Sequence, residues 1–416
     1  MKSVSRVTLA LVAALGMGAV TAIPAAQAAK AKKETAPKGP TPELSAPFRK
    51  AFVEVQTAVK AANPVDLQTK IAALEPLAST ADEKYYLGVM RFELAKLTKE
   101  KALTRRAINE MAASGSKLIA NLPELNYNAG ALAYDAGDYR DTLAKMALAD
   151  QQGSKDINRL LLMAESNFKL NQVPTGLAVL ERAVTEQKAA GQAPPQDWFR
   201  RALSVALKGK MAGDVAKWSQ ELVRYHPSTT NWRDALVIYR DGSRLDPLVQ
   251  LDIFRLMRET KSLAGEKDFY DYAAVANERA LPGEAKAIIE EGYASGAAAK
   301  SSRPIAEMLT LASSKLAADQ AGLAADEKRA RSAGDGKIAA NTGNAFLGYG
   351  NYSKAIDLLK LALSKGGADN DAINTRLGIA LTKSGQKAEA RQAFAAVKGV
   401  RADIARYWTL YLDLNP

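Results

Sequence analysis

Residues 342–367 read TGNAFLGYGNYSKAIDLLKLALSKGG, and residues 376–399 read RLGIALTKSGQKAEARQAFAAVKG. Gly343, Gly350, Tyr352, Ala355, Leu359 and Ala362 of the first stretch find Gly378, Gly385, Lys387, Ala390, Phe394 and Val397 in the second, each 35 residues later. A fixed displacement of this length marks a stacked repeat, in which each unit shelters the apolar face of the next. Within each copy, apolar residues recur every three or four positions on both sides of a glycine turn, so the unit is helix, turn, helix. Gly343 and Ala355 are small where two helix backbones cross closely, and Gly350 with Asn351 supplies the turn.

Working outward, the same pattern returns in YNAGALAYDAGDYRDTLAKMALA, through Gly130, Gly137, Tyr139, Thr142, Met146 and Ala149. It returns again 34 residues later at Ala164, Asn171, Val173, Gly176, Leu180 and Ala183. Ala202 takes the small position after an insertion, GQAPPQ, and Leu236 stands 34 residues beyond it, where a large side chain predicts wider packing. A further pair turns at Pro282-Gly283, and Gly88 begins one whose second helix is delayed by extra residues before Arg105. At the front, Phe48, Phe52, Val55 and Val59 lie on one helix face; Asn63-Pro64 ends that helix, and Leu67, Ile71 and Leu74 repeat the spacing behind a candidate cap at Asp66. Residues 303–333 read as Ala-rich helix without a turn, and ADIARYWTLYLDLNP places Ile404, Trp408 and Tyr411 on one side, as a terminal capping helix should. About eight helix pairs are expected between Ser45 and Gly399.

These residues resemble the tetratricopeptide repeat, and the resemblance covers most of the chain. It implies an all-α fold, an α-solenoid wound as a right-handed superhelix of antiparallel helix pairs. The expected organisation is a signal peptide over 1–28, a flexible Lys/Pro-rich leader over 29–45, divergent helix pairs over 46–300, and a C-terminal part over 301–416. That last part holds the Ala-rich helix, two clear repeats at about 336–399 and the capping helix.

Composition agrees and sets bounds. At 416 residues the chain exceeds what one compact core organises, roughly 250–300 residues, so it must divide or stack. Lys2 and Arg6 precede an apolar run from Val7 to Val20, followed by Pro24 and the small-x-small site Ala26-Gln27-Ala28. This reads as an export signal cleaved after Ala28, too short for the ~20 apolar residues of a membrane span. The signal has a bacterial look, and the expected address is the periplasm, at most peripheral to the outer membrane. No later segment is apolar enough to span a bilayer.

Cysteine is absent, which removes disulfides, thiol nucleophiles and thiolate metal sites together. Loss of Lys2 and Arg6 with the signal lowers the formal net charge from +12 to +10. The surplus concentrates in the leader and between Arg91 and Arg106, and it suits solubility, or an acidic polysaccharide or protein face. The exported address disfavours nucleic acid.

Sequence signals for chemistry are weak. Glu165-Ser166 and Phe168 in MAESNF echo the catalytic Glu-Ser signature of lytic transglycosylases, but the continuation those enzymes carry is missing and the stretch sits in repeat register. His226 is the only histidine and falls where a second helix should end, so no catalytic triad or histidine-rich metal site can be assembled. Asp369 and Asp371 suit helix capping better than calcium, whose loop and closing glutamate are lacking. Gly334-Asp335-Gly336-Lys337 is not a phosphate loop and reads as a turn before a helix. No catalytic residues, cofactor or metal are expected.

Binding is the expected role. First helices of successive pairs line a concave face, and projecting the family's groove positions onto this chain selects Tyr85, Tyr127, Tyr134, Phe168, Asn341, Asn344 and Arg376. Asn341, Asn344 and Arg376, with Lys337, resemble fragments of the clamp by which some family members grip a terminal carboxylate, although Ala340 and Ala372 stand where that clamp has lysines. The expectation is a non-enzymatic scaffold that holds a protein or peptide partner in the cell envelope, for assembly or secretion. The alternative is a module for acidic polysaccharide or peptidoglycan, supported by the tyrosines and the positive charge; a third reading, a lytic-transglycosylase-like glycan-cleaving enzyme, rests on Glu165 alone.

Overall fold

The computed structural model describes residues 41–242 and 247–415. The export signal and most of the leader lie outside the described residues. Among these residues the chain is built from twenty α-helices and two short 3₁₀ turns, with no strand. It falls into two compact units that divide between Trp198 and Phe199.

Unit 1 carries four antiparallel pairs: α1 (Ala46–Ala61) with α2 (Pro64–Leu74), α3 (Ala81–Thr98) with α4 (Lys101–Ala113), α5 (Leu122–Asp135) with α6 (Tyr139–Gln151), and α7 (Asn158–Lys169) with α8 (Val173–Ala189). Unit 2 takes in most of α9 (Gln196–Lys208), paired with α10 (Ala212–Tyr225), then α11 (Thr229–Gly242) with α12 (Pro247–Glu259) and α13 (Gly265–Glu278) with α14 (Pro282–Ala294). A single 30-residue helix, α15 (Arg303–Ser332), follows. Next come α16 (Lys337–Gly348) with α17 (Tyr352–Lys365), α18 (Asn370–Lys383) with α19 (Lys387–Ala395), and α20 (Ala402–Leu414). The described residues thus hold nine pairs rather than about eight.

The local chemistry explains the hairpins. Gly350 takes φ +74°, a left-handed conformation that suits glycine, and the Asn351 side chain then accepts the Lys354 N–H as the N-cap of α17. At the equivalent turn between α7 and α8 the left-handed residue is Asn171, among the few side chains that tolerate it. Small residues sit where the helices meet: a Cβ on Gly378 would lie 2.4 Å from the Phe394 ring, so α18 and α19 can approach this closely only with glycine there.

Several boundaries differ from expectation. Asn63, not Asp66, caps α2, accepting from Val65 N and Asp66 N, with Pro64 in the first turn where its missing N–H costs nothing. The extra residues after Gly88 do not form a loop; they lengthen α3 to 18 residues, and α4 begins at Lys101. The end of the leader is held in place: Glu43 N donates to Asp82, Thr80 Oγ1 donates to Glu43 O, and Ser45 N donates to Glu83 at 2.7 Å. Asp369 caps α18 as expected, and His226 closes α10 with its ring edge-on to Phe199.

The two units bury their cores differently. Unit 1 holds local clusters, such as Phe48, Phe52 and Leu67 at the front and Tyr127, Met146 and Leu162 further on. Each pair there shelters its neighbour, as in a linear array. Unit 2 has one continuous core running from Val223 to Leu412. The cause is α20. A capping helix should keep a polar outer face, yet Tyr407, Trp408, Leu410 and Leu412 are all buried, because α20 packs on α10 and α12 as well as on α19. Tyr407 Oη and Ser219 Oγ share a buried hydrogen bond of 2.7 Å across 188 residues of chain. Lys383 reaches Glu259 at 2.6 Å, fastening α18 to α12.

Candidate functional site

The aromatic positions expected to line a groove in unit 1 are mostly consumed by packing. Tyr85 is buried with Phe92, Ala107 and Met111, and burial pushes its hydroxyl up to about 12. Tyr127 packs on Met146 and Leu162, and burial followed by the charges of Asp156 and Glu124 raises its pKa as well. Phe168 covers Gly176, whose Cβ would stand 2.4 Å from the ring, so it belongs to the α7–α8 contact rather than to an open face. Tyr134 is half-buried, edge-on to Tyr139 at 5.6 Å.

The basic run between Arg91 and Arg106 is largely neutralised. Arg91 bridges Glu75 and Glu110, Lys96 meets Glu93, Arg105 holds Asp138 and Asp141, and Arg106 holds Glu110 and Glu75. These arginines tie α2, α3, α4 and α6 together, a role that sequence spacing could not reveal because the partners lie up to 36 residues away. Glu165 is almost wholly buried and partnered, and Ser166 Oγ is buried without a hydrogen bond.

In unit 2 the expected clamp residues separate. Asn341 is exposed, and Lys337 is exposed beside Asp335 at 3.5 Å. Asn344 and Arg376 are buried, as are Ala340 and Ala372. The inner face that should have held a partner is filled by α12 of the same chain. Asp252, fully buried, accepts from Arg255 Nη1 at 3.1 Å and Arg401 Nη1 at 2.7 Å, and Arg376 Nε stands 3.8 Å away. Arg255 also grips Glu284 with two bonds of 2.8 and 2.6 Å, and Tyr272 Oη donates to the same carboxylate at 2.7 Å. Burial opposes ionisation of Glu284, but Arg255 and these hydrogen bonds outweigh it and hold its pKa below the usual value.

This set contains three buried arginines against two buried carboxylates, and the surplus falls on Arg376. Its Nε and Nη2 are buried with no hydrogen-bond partner, and Asn344 Oδ1 is likewise unpartnered. Burial, together with the charges of Arg255 and Arg401, lowers the Arg376 pKa despite Asp252. The sequence marked Arg376 and Asn344 as inward-facing; it carried no signal for Asp252, Arg255, Glu284 or Arg401, which meet only through the closure of the unit.

Beside this network lies a cleft of about 460 Å³, lined by residues on or next to α12, α13, α14, α16, α17, α18 and α20. Among the described residues no helix is long and apolar enough to cross a membrane.

The family model described as Tetratricopeptide repeat matches residues 346–414. Those residues run from the last turn of α16 to the end of α20. Over these residues the chain is similar to the tetratricopeptide repeat. No curated protein matches the chain. Among solved structures it is similar to the TPR2AB domain of yeast Sti1 in complex with pHSP90, at 12% identity over 71% of this chain and 95% of that one, with a TM-score of 0.24. It is also similar to the TPR domain of P58(IPK), at 10% identity over 89% of this chain and 98% of that one, again with a TM-score of 0.24. At that score neither bears on how the pairs are arranged here.

Proposed function

We propose that this chain is a non-catalytic scaffold, exported to the periplasm, that holds a protein partner in envelope assembly or secretion. The observation that carries the reading is the tetratricopeptide match over 346–414, set among nine helix pairs in the described residues. The buried ionisable groups support it, since Glu83, Arg91, Arg159, Arg255 and Glu284 are committed to caps and ion pairs that hold helices together. Unit 1 is the better platform for a partner, because the inner face of unit 2 is taken by its own α12 and α20.

Crosslinking in intact cells followed by mass spectrometry tests the proposal. A protein recovered in stoichiometric yield is the expected outcome. Retention on an acidic glycan, abolished by salt, with no protein recovered, would replace it with the polysaccharide reading. Release of muropeptides lost on Glu165→Gln would replace it with an enzymatic one. Export predicts a mature N-terminus at Ala29, read by N-terminal sequencing of the periplasmic fraction.

A further inference from the structure

The cleft inside unit 2 has the size of a small-molecule site, roughly 300–1,000 Å³, and not of a groove for an extended chain. Its floor is apolar: Leu347, Ile379 and Trp408 are buried side chains on α16, α18 and α20. Tyr349 and Tyr352 add aromatic wall. Trp408 is stacked on Phe394 at 6.0 Å, and its indole Nε1 is buried without an acceptor.

The rim is charged in both senses, and most of that charge is matched. Arg258 pairs with Glu291 at 2.7 Å and Lys383 with Glu259 at 2.6 Å, while Arg255 and Glu284 are locked together behind them. These partly exposed carboxylates keep lone pairs free for hydroxyl donors, and Arg258 keeps N–H groups free for oxygen acceptors. Lys261 is the exception. It is exposed at the rim and, among the described residues, makes no ion pair or side-chain hydrogen bond, so it leaves the cleft one positive charge in excess.

We infer that this cleft binds a sugar ring carrying a single carboxylate. The ring's C–H face suits the floor of Trp408, Leu347 and Ile379 and the Tyr352 wall; its hydroxyls suit Glu259 and Glu291; the carboxylate suits Lys261. A phosphate dianion is disfavoured by three glutamates around one unmatched cation. A purely apolar ligand would leave the rim charges desolvated without compensation. The site is independent of the scaffold reading, since partner capture can succeed or fail without it.

Isothermal titration of the full mature chain tests the assignment, using N-acetylmuramic acid and glucuronic acid as carboxylated probes. N-acetylglucosamine and glucose serve as neutral counterparts, and acetate and a short acidic peptide as anions without a ring. The expected result is binding of the carboxylated sugars about tenfold tighter than either control class, weakening as salt rises. Lys261→Asn, which suits the left-handed backbone there (φ +55°), should cost about tenfold in affinity with an unchanged thermal melt. The assignment is overturned if no sugar binds the folded wild-type chain, if acetate or the peptide binds as tightly, or if Lys261→Asn changes affinity less than twofold.

Discussion

Replacing Asp252 with asparagine keeps the shape of the side chain and removes the charge that three arginines share. Its carboxylate lies 3.1 Å from Arg255 Nη1, 2.7 Å from Arg401 Nη1 and 3.8 Å from Arg376 Nε, with no solvent exposure. The buried set would go from three cations against two anions to three against one. Breaking a buried pair by removing one partner costs about 3–5 kcal/mol, because the remaining charge stays desolvated. For a unit of this size each kcal/mol lowers the melting temperature by about 2–4 °C, so Asp252→Asn should lower it by roughly 6–20 °C. Circular dichroism melts of the mature protein read the global effect. Amide hydrogen exchange in α20 reads the local one, since Arg401, which Asp252 holds, lies one residue before that helix. A melt within 2 °C of wild type, with α20 protection unchanged, would refute the claim that Asp252 closes the unit.

Arg376→Met should raise stability, since it removes a buried guanidinium whose Nε and Nη2 have no partner; a lower urea midpoint would show that Arg376 is compensated after all. Gly378→Ala would set a Cβ 2.4 Å from the Phe394 ring and should cost about 1–3 kcal/mol by overpacking; an unchanged urea midpoint would mean that α18 and α19 separate freely. Burial opposes ionisation of Glu83, but the N–H groups of Thr80, Ser45 and Ser79 and the Ser45 side chain outweigh it and pull its pKa down from 4.5 to about 2. Because the folded pKa is the lower one, its contribution is present above the unfolded value and is lost as pH falls from 4.5 through about 2. Glu83→Gln should therefore flatten the acid limb of the stability profile between those pH values, and an acid limb identical to wild type would contradict this.

The helix pairs were legible because their determinants are local. A glycine turn, a capping asparagine and a small residue where backbones cross all lie within one repeat, so Gly350, Asn351 and Gly378 announce their roles from spacing alone. The single long helix at 303–332 was legible for the converse reason, the lack of any turn signal. The fate of the inner face was not legible. A position such as Arg376 has the same repeat register whether it meets solvent, a partner or another helix of its own chain.

Sequence alone determined the helical fold class and the glycine turns of the clearest hairpins, such as those at Gly350 and Gly385. Tertiary structure decided that α20 returns to α10 and α12, so that Tyr407 meets Ser219, Arg401 meets Asp252, and an expected groove becomes a closed core with a small cleft beside it. The physical reason is distance along the chain. Contacts that join residues nearly 150 to 190 positions apart depend on the small rotation between one pair and the next summed over many repeats, a quantity that no single repeat encodes.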